Sequence, residues 1–120
     1  MAKRPLKGAR AARLRQQKFA VLRRYQIAED LVRDLLPGSL SETRRRCGKP
    51  TCHCATGEGH LSAYLTFMVD GHKRVERVPA AWVADVRRRV QAGREFKEAV
   101  AEVLAANAQL LVLERQQTGQ

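Results

Sequence analysis

The sequence has few aromatic residues and no long hydrophobic run. Its 120 residues include three Phe, two Tyr and one Trp, although hydrophobic residues make up 44% of the chain. Because that content is mostly Ala, Val and Leu, the composition favours helices over a β-sandwich. No apolar run approaches the ~20 residues that a membrane-spanning helix needs, and no apolar secretory segment follows the basic N-terminus. We therefore expect a cytoplasmic protein without a membrane partner.

Cysteine is absent outside one short stretch, RRRCGKPTCHC, at residues 44–54. The three cysteines Cys47, Cys52 and Cys54 are an odd number, so they cannot form a closed set of disulfides. In a reducing compartment, clustered thiols more often bind a metal ion. The stretch therefore points to a metal site rather than to a disulfide-stabilised fold.

Acidic residues are absent from the first 24 positions, which contain nine Lys or Arg. This segment contributes +9 of the formal net charge of +11. Positive charge of this density attracts phosphate groups, which makes nucleic acid the first candidate partner. The alternative is a solubilising tail that would be attracted to any polyanion or anionic surface.

The N-terminal third has the pattern of one long helix. No Gly or Pro occurs from residue 9 to residue 36, and Pro37-Gly38 follows. Apolar residues recur at the spacing of a single helical seam. These residues are Val21, Tyr25, Ala28, Val32 and Leu35. We predict a disordered basic arm over 1–8 and a basic amphipathic helix over 9–36.

The rest of the chain has the pattern of a β-hairpin followed by a second helix. Strand-forming residues at 63–69 and 73–78 flank Asp70-Gly71, a tight-turn signal. Pro79 suits the first turn of a helix over 80–116, with a frayed tail at 117–120. Gly93 suggests a local bend in this helix or a change of its packing partner. Its seam is formed by Phe96, Ala99, Val103, Ala106, Leu110 and Leu113.

Together these patterns predict one domain that is mainly α with a small β-hairpin. The order is a long helix, a Cys-rich zinc-type loop and hairpin over 37–79, and a second long helix. The two seams could pair with each other as an antiparallel coiled coil, or with a second copy of the chain.

The cysteine stretch predicts one structural Zn²⁺ ion. Zinc prefers four tetrahedral ligands, and Cys47, Cys52 and Cys54 can supply three. The glycines at 57 and 59 let the chain turn back so that His60 can supply the fourth. His53 is a rival, but its side chain points away if both neighbouring cysteines bind the ion. The other reading is three reduced thiols without metal.

Cations on either side of the loop, together with the basic helix, form the predicted nucleic-acid surface. With few aromatics available for stacking, we expect contact mainly with the phosphate backbone, and with double-stranded DNA in particular. The predicted contact residues are Arg10, Arg13, Arg15, Lys18, Arg23, Arg24, Arg44, Arg45, Arg46, Lys49, Lys73 and Arg74.

Three local runs carry a resemblance to a known family: the Pro37–Leu40 run PGSL, Cys-Gly-Lys-Pro-x-Cys-x-Cys at 47–54, and the Val78-Pro79 step. Over about residues 35–115 the chain resembles small bacterial proteins of unknown function, some of them encoded near transposases and other mobile elements. The resemblance implies a zinc-ribbon-like loop between helices and supports Cys47, Cys52, Cys54 and His60 as ligands. It implies no biochemical activity.

The sequence leads us to expect a small zinc-stabilised accessory protein that binds nucleic acid, associates with the nucleoid and acts with a larger protein. Its setting would be a mobile element or phage, and a homodimer is possible. The alternative is a protein-interaction adaptor that uses its helical seams. A metal-dependent enzyme is the third reading, but Glu58 is the only acid in the loop, so we expect no catalytic activity.

Overall fold

The computed structural model describes residues 7–46, 48–52, 57 and 59–119. Two helices precede a three-stranded antiparallel sheet, and a short 3-10 turn leads from the sheet into a long C-terminal helix. The elements are α1 (Ala9–Arg24), α2 (Glu29–Val32), β1 (Ser39–Arg45), β2 (His60–Val69), β3 (His72–Val78), the 3-10 turn Ala80–Trp82 and α3 (Val83–Gln117).

The prediction of a single hairpin is wrong, because a third strand extends it. β1 pairs antiparallel with β2 from Ser39 opposite Thr66 to Arg45 opposite His60, and β2 pairs with β3 through the turn at Asp70-Gly71. Sequence patterning does not reveal β1, because Leu40 is its only large apolar residue. The pairing with β2, rather than its own composition, makes this segment a strand.

The prediction of one helix over 9–36 is also wrong, because α1 ends at Arg24. Gln26 has a φ of 54°, which lies in the left-handed region and is incompatible with a continuing helix. The reversal brings the following segment onto α3, where the Leu36 amide donates a hydrogen bond to the Arg89 carbonyl oxygen at 3.2 Å. Tertiary packing of Leu36 therefore outweighs the local helical preference.

The core lies between one face of the sheet and the first turns of α3. Burial of apolar side chains in this layer is what stabilises the fold. Its buried members are Ala63, Val78, Val83, Val86 and Val90, with Leu36, Leu40, Leu61 and Leu65 packed against them.

Gly93 marks a close approach and a change in packing, since the buried residues of α3 end there. It is a buried residue inside the continuous helix α3, and a Cβ added there would overlap the carbonyl oxygen of Leu36. The backbone of the segment after α2 therefore packs directly on α3 at this point.

We expect Gly93→Ala to destabilise the protein, although alanine is the better helix former. Replacing Gly by Ala inside a helix stabilises the helix by about 1 kcal/mol. Forcing a side chain into a filled space costs about 1–3 kcal/mol. Thermal unfolding followed by circular dichroism measures the difference. Ala101→Gly, at an exposed position of the same helix, is the control and should lower stability only by the helical term. A higher melting temperature for Gly93→Ala would contradict this packing.

The second half of α3 has no partner within the described part of the chain. Every residue from 97 to 119 is exposed, and the side chains of Val103 and Leu110 are 60% and 62% exposed. Of the two pairings that the sequence left open, the one between the seams of a single chain therefore does not extend beyond Phe96, which lines a groove with Val32 and Leu35. Among the described residues, no helix combines the length and apolar character that a membrane span requires.

Candidate metal loop and basic sheet face

Residues 46–59 connect two paired strand ends. Arg45, the last residue of β1, lies opposite His60, the first residue of β2. Gly59 has a φ of +91°, and a Cβ placed there would lie 2.5 Å from the Arg45 carbonyl carbon. A side chain at position 59 would therefore push β2 away from β1. This glycine sets where His60 enters the sheet.

The loop brings together two of the four predicted metal ligands. The Cys52 Sγ and His60 Nε2 atoms are 3.2 Å apart. Two such ligands on one tetrahedral zinc ion lie roughly 3.6 Å apart, given the usual Zn–S and Zn–N bond lengths. The Cys52 amide donates to the Lys49 carbonyl oxygen at 3.1 Å, which forms the turn that presents the thiol. A small adjustment of either side chain would let both bind one ion.

The other predicted ligands, Cys47 and Cys54, lie outside the described residues, as does the rival His53. Within the described ranges, no group of three or more His, Cys, Asp or Glu side chains converges. The Cys52 and His60 pair fits a zinc centre in atom type and spacing, and the complete ligand set stays a prediction.

Arg46 and Lys49, which were predicted to contact nucleic acid, belong to this loop. The Arg46 Nε donates to the Gly57 carbonyl oxygen at 3.3 Å, so its side chain connects the two ends of the loop. Lys49 is exposed. The structure therefore gives Arg46 a role in shaping the loop.

The two faces of the sheet differ in charge. Side chains alternate between faces along each strand, and the inner face, which packs on α3, carries Leu40, Ala63 and Val78 together with the acids Glu42 and Glu76. The opposite face, here called the outer face, has three cations and no acid. It consists of Ser39, Ser41, Thr43, Arg45, His60, Ser62, Tyr64, Thr66, Met68, Lys73, Val75 and Arg77.

This alternation sorts the predicted sheet cations. Arg45 and Lys73 belong to the outer face, whereas Arg44 and Arg74 belong to the inner one. Arg74 pairs with Glu76 at 2.6 Å, so its charge is partly offset by this carboxylate. Arg77, which our sequence prediction omitted, lies on the outer face opposite Tyr64. The period-2 spacing of the β3 cations could have identified it.

Arg45, Lys73 and Arg77 are exposed, and within the described ranges none of them forms an ion pair. Their charges therefore act on whatever approaches the outer face.

The predicted contact residues of α1 do not form one surface. Arg10, Arg13 and Lys18 line an open groove between α1 and the tip of the β2–β3 hairpin. The helical spacing puts Arg15 and Arg23 on other sides of α1. The Arg24 guanidinium lies over the Tyr25 ring, 4.9 Å from its centroid.

Lys18 is also partly committed to an internal contact. Its Nζ lies 3.4 Å from Glu29, and Glu29 pairs with Arg33 at 2.7 Å. The Arg33 guanidinium, and to a smaller extent the Lys18 ammonium, lower the pKa of the Glu29 carboxyl. Glu29 therefore stays ionised and ties α1 to α2.

The arginine run at 87–89 is used inside the fold. Arg87 donates to both carboxylate oxygens of Glu42 on β1, at 2.6 Å, and Arg89 donates to the Asp34 carbonyl oxygen at 2.7 Å. Arg88 pairs with Asp85, and this contact lowers the pKa of the Asp85 carboxyl. Arg87 and Arg89 thus fasten β1 and the segment after α2 to α3, whereas Arg88 pairs within α3.

Comparison with known proteins returns one family. A family model described as a domain of unknown function, DUF6788, matches residues 13–88. That range runs from α1 through the loop and the sheet into the first turns of α3. Comparisons with curated proteins and with solved structures give no match.

Proposed function

This chain belongs to the DUF6788 family of domains of unknown function, and from its geometry we propose that it binds the phosphate backbone of nucleic acid through the outer face of its sheet. In this proposal a zinc ion orders the β1–β2 loop, and double-stranded DNA is the preferred ligand.

The separation of charge between the two sheet faces carries the proposal. Glu42 and Glu76 belong to the inner face, whereas the outer face holds Arg45, Lys73 and Arg77 without an acid to offset them. Hydroxyl side chains fill most of the remaining outer positions, and Ser, Thr and Tyr hydroxyls are common phosphate ligands. An open face of this composition suits a polyanion.

The chemistry of the outer face favours backbone contact over base stacking. Tyr64 is its only Phe, Tyr or Trp residue, and platforms that stack successive bases need several. Phosphate contacts carry no sequence information by themselves. We therefore infer weak sequence preference. Arg10 and Arg13 of α1 form a separate set of cations, in a groove that Val69 and Asp70 of the hairpin tip also line.

A zinc ion would make this face rigid, because two of its proposed ligands flank the sheet. His60 is an outer-face residue and pairs with Arg45, while Cys52 approaches it from the loop. Connections of more than about 12–15 residues without regular structure are seldom ordered on their own. Bound zinc supplies the folding free energy that such a loop lacks.

Binding to duplex DNA should be strongly salt-dependent. Each phosphate neutralised contributes a slope of about −0.9 to the plot of log affinity against log salt concentration. Fluorescence anisotropy with a labelled duplex, between roughly 0.05 and 0.3 M salt, measures that slope. A slope of about −2.7 or steeper, the value for three phosphate contacts, supports the proposal. Absent or salt-insensitive binding would contradict it, and tighter binding of single-stranded DNA or RNA of equal length would contradict the choice of duplex.

From the resemblance to proteins encoded near transposases we further propose that this activity serves a mobile element or phage, as an accessory to a larger protein in the cytoplasm or nucleoid. The exposed second half of α3 favours a second candidate function, that of a protein-interaction adaptor. The two functions are compatible, because the outer face and the end of α3 are separate surfaces.

A further inference from the structure

The second half of α3 exposes a continuous apolar surface. Eleven consecutive residues, 103–113, carry no charge. Large apolar side chains recur at i, i+3, i+4, i+10 and i+11, a spacing that puts them on one side of a helix. These are Val100, Val103, Leu104, Leu110 and Leu111, with exposed fractions from 43% to 65%. A helix with such a face needs a partner, because isolated helices of this length are marginal in water.

From these features we propose that residues 97–117 of α3 pair antiparallel with the same segment of a second copy of the chain, with the two-fold axis near Asn107. This inference is independent of nucleic-acid binding.

Asn107 favours a second copy over an unrelated partner. It lies at i+7 from Val100, in the middle of the apolar face. A buried amide needs a hydrogen-bond partner, and a two-fold axis at this position supplies the Asn107 side chain of the other copy. A polar residue at the centre of an apolar helical seam fixes the register of helical pairs in this way.

The charges at the ends of the segment favour the antiparallel arrangement. Centring on Asn107 places Lys97 of one copy within a helical turn of Glu114 of the other, and both residues lie on or beside the apolar face. A parallel pair would instead place Glu114 of one copy beside Glu114 of the other. Antiparallel pairing also keeps the two strongly basic sheet-bearing ends apart, which limits their repulsion.

The available area reaches the lower limit for a specific interface. If both copies bury the five large apolar side chains, roughly 1,000 Å² is removed from water, and the Phe96 groove would add to it. The first seam residue, Phe96, also lines an open apolar groove with Val32, Leu35 and Leu36. The C-terminal end of the second copy's α3 would meet this groove.

Light scattering and small-angle X-ray scattering test the proposal on the full chain, after nuclease treatment and in high salt so that nucleic acid cannot bridge copies. We expect a mass of twice 13.5 kDa. The chain is 77 Å long, and an overlap of ~31 Å, from 1.5 Å per helical residue, gives an antiparallel dimer of about 120 Å. A monomer at protein concentrations up to roughly 0.1 mM, or a dimer of about 80 Å as expected for parallel pairing, would overturn it.

Two matched double variants separate this surface from a general effect of charge. Val103→Glu with Leu110→Glu places two carboxylates on the apolar face and should give a monomer. Ala105→Glu with Gln109→Glu adds the same charge on the opposite side of the helix and should leave the dimer intact. All four positions are exposed, so both variants should keep the circular dichroism of the parent. Equal behaviour of the two variants would also overturn the proposal.

Discussion

Replacing Arg45, Lys73 and Arg77 together by alanine is expected to weaken binding to duplex DNA by roughly 100-fold at about 0.15 M salt. The loss of three phosphate contacts should also make the slope of log affinity against log salt shallower by about 2.7, which anisotropy titrations at several salt concentrations measure. The effect is large because the three cations share one acid-free face, so each can reach the same ligand.

The matched control removes three cations from elsewhere. Arg88, Arg94 and Arg115 are exposed residues of α3, and their replacement by alanine changes the net charge equally. If net charge alone attracts DNA, the two triple variants should bind alike, and the outer face would then have no special role. We expect the α3 variant to lose less than about threefold, because contacts beyond a Debye length of roughly 8 Å are screened. Unchanged melting temperatures would show that both variants fold.

Those elements of the fold that depend on neighbouring residues could be predicted from the sequence. Asp70-Gly71 is a turn signal within four residues, and both residues have the positive φ values, 52° and 79°, that this signal implies. The helix from residue 83 to 117 likewise follows from a repeating apolar spacing. Local chemistry is sufficient in both cases.

Elements that depend on distant residues could not be predicted. β1 is a strand because β2 pairs with it, and its own Ser, Glu, Thr and Arg residues carry little strand preference. α1 stops before Gln26 because Leu36 packs on α3, more than fifty residues farther along the chain. Neither the β1–β2 pairing nor the packing of Leu36 on α3 produces a periodic pattern of apolar residues in the local sequence.

The candidate site divides in the same way. The cysteine spacing is local and predicts Cys52 and His60 as ligands of one ion; the two side chains lie 3.2 Å apart, and their role as ligands stays a prediction. The assignment of cations required the sheet register, since Lys73 and Arg74 are neighbours in sequence and lie on opposite faces. The internal pairing of Arg87 with Glu42 spans 45 positions, so charge counting alone could not exclude it from the binding surface.

Removing the metal is expected to have the largest effect on the fold. Structural zinc contributes about 10–16 kcal/mol of binding free energy in small domains, which is comparable to the entire stability of a typical domain. We expect purified protein to contain one zinc ion per chain by elemental analysis. A strong chelator should lower the melting temperature of the sheet and, with it, the affinity for DNA. Lower pH should favour zinc loss, because protons compete for the thiolates and the imidazole.

Histidine variants give the sharpest test of the ligand set. His60→Ala should reduce zinc affinity, since the His60 ring lies against the Cys52 thiol. Without any chelator, this variant should show the lower melting temperature and lower DNA affinity that chelator causes in the parent. His72→Ala removes the same side chain from the other end of the sheet, at an exposed position beside the Asp70-Gly71 turn, and should change neither zinc content nor melting temperature.

Cobalt substitution gives an independent readout, because tetrahedral Co²⁺ bound by thiolates absorbs visible light and the His60→Ala spectrum should differ from the parent. Native protein that contains no metal and keeps its melting temperature in chelator would contradict the zinc site. The outer-face cations would then have to be held in place by the strand pairing and Gly59 alone.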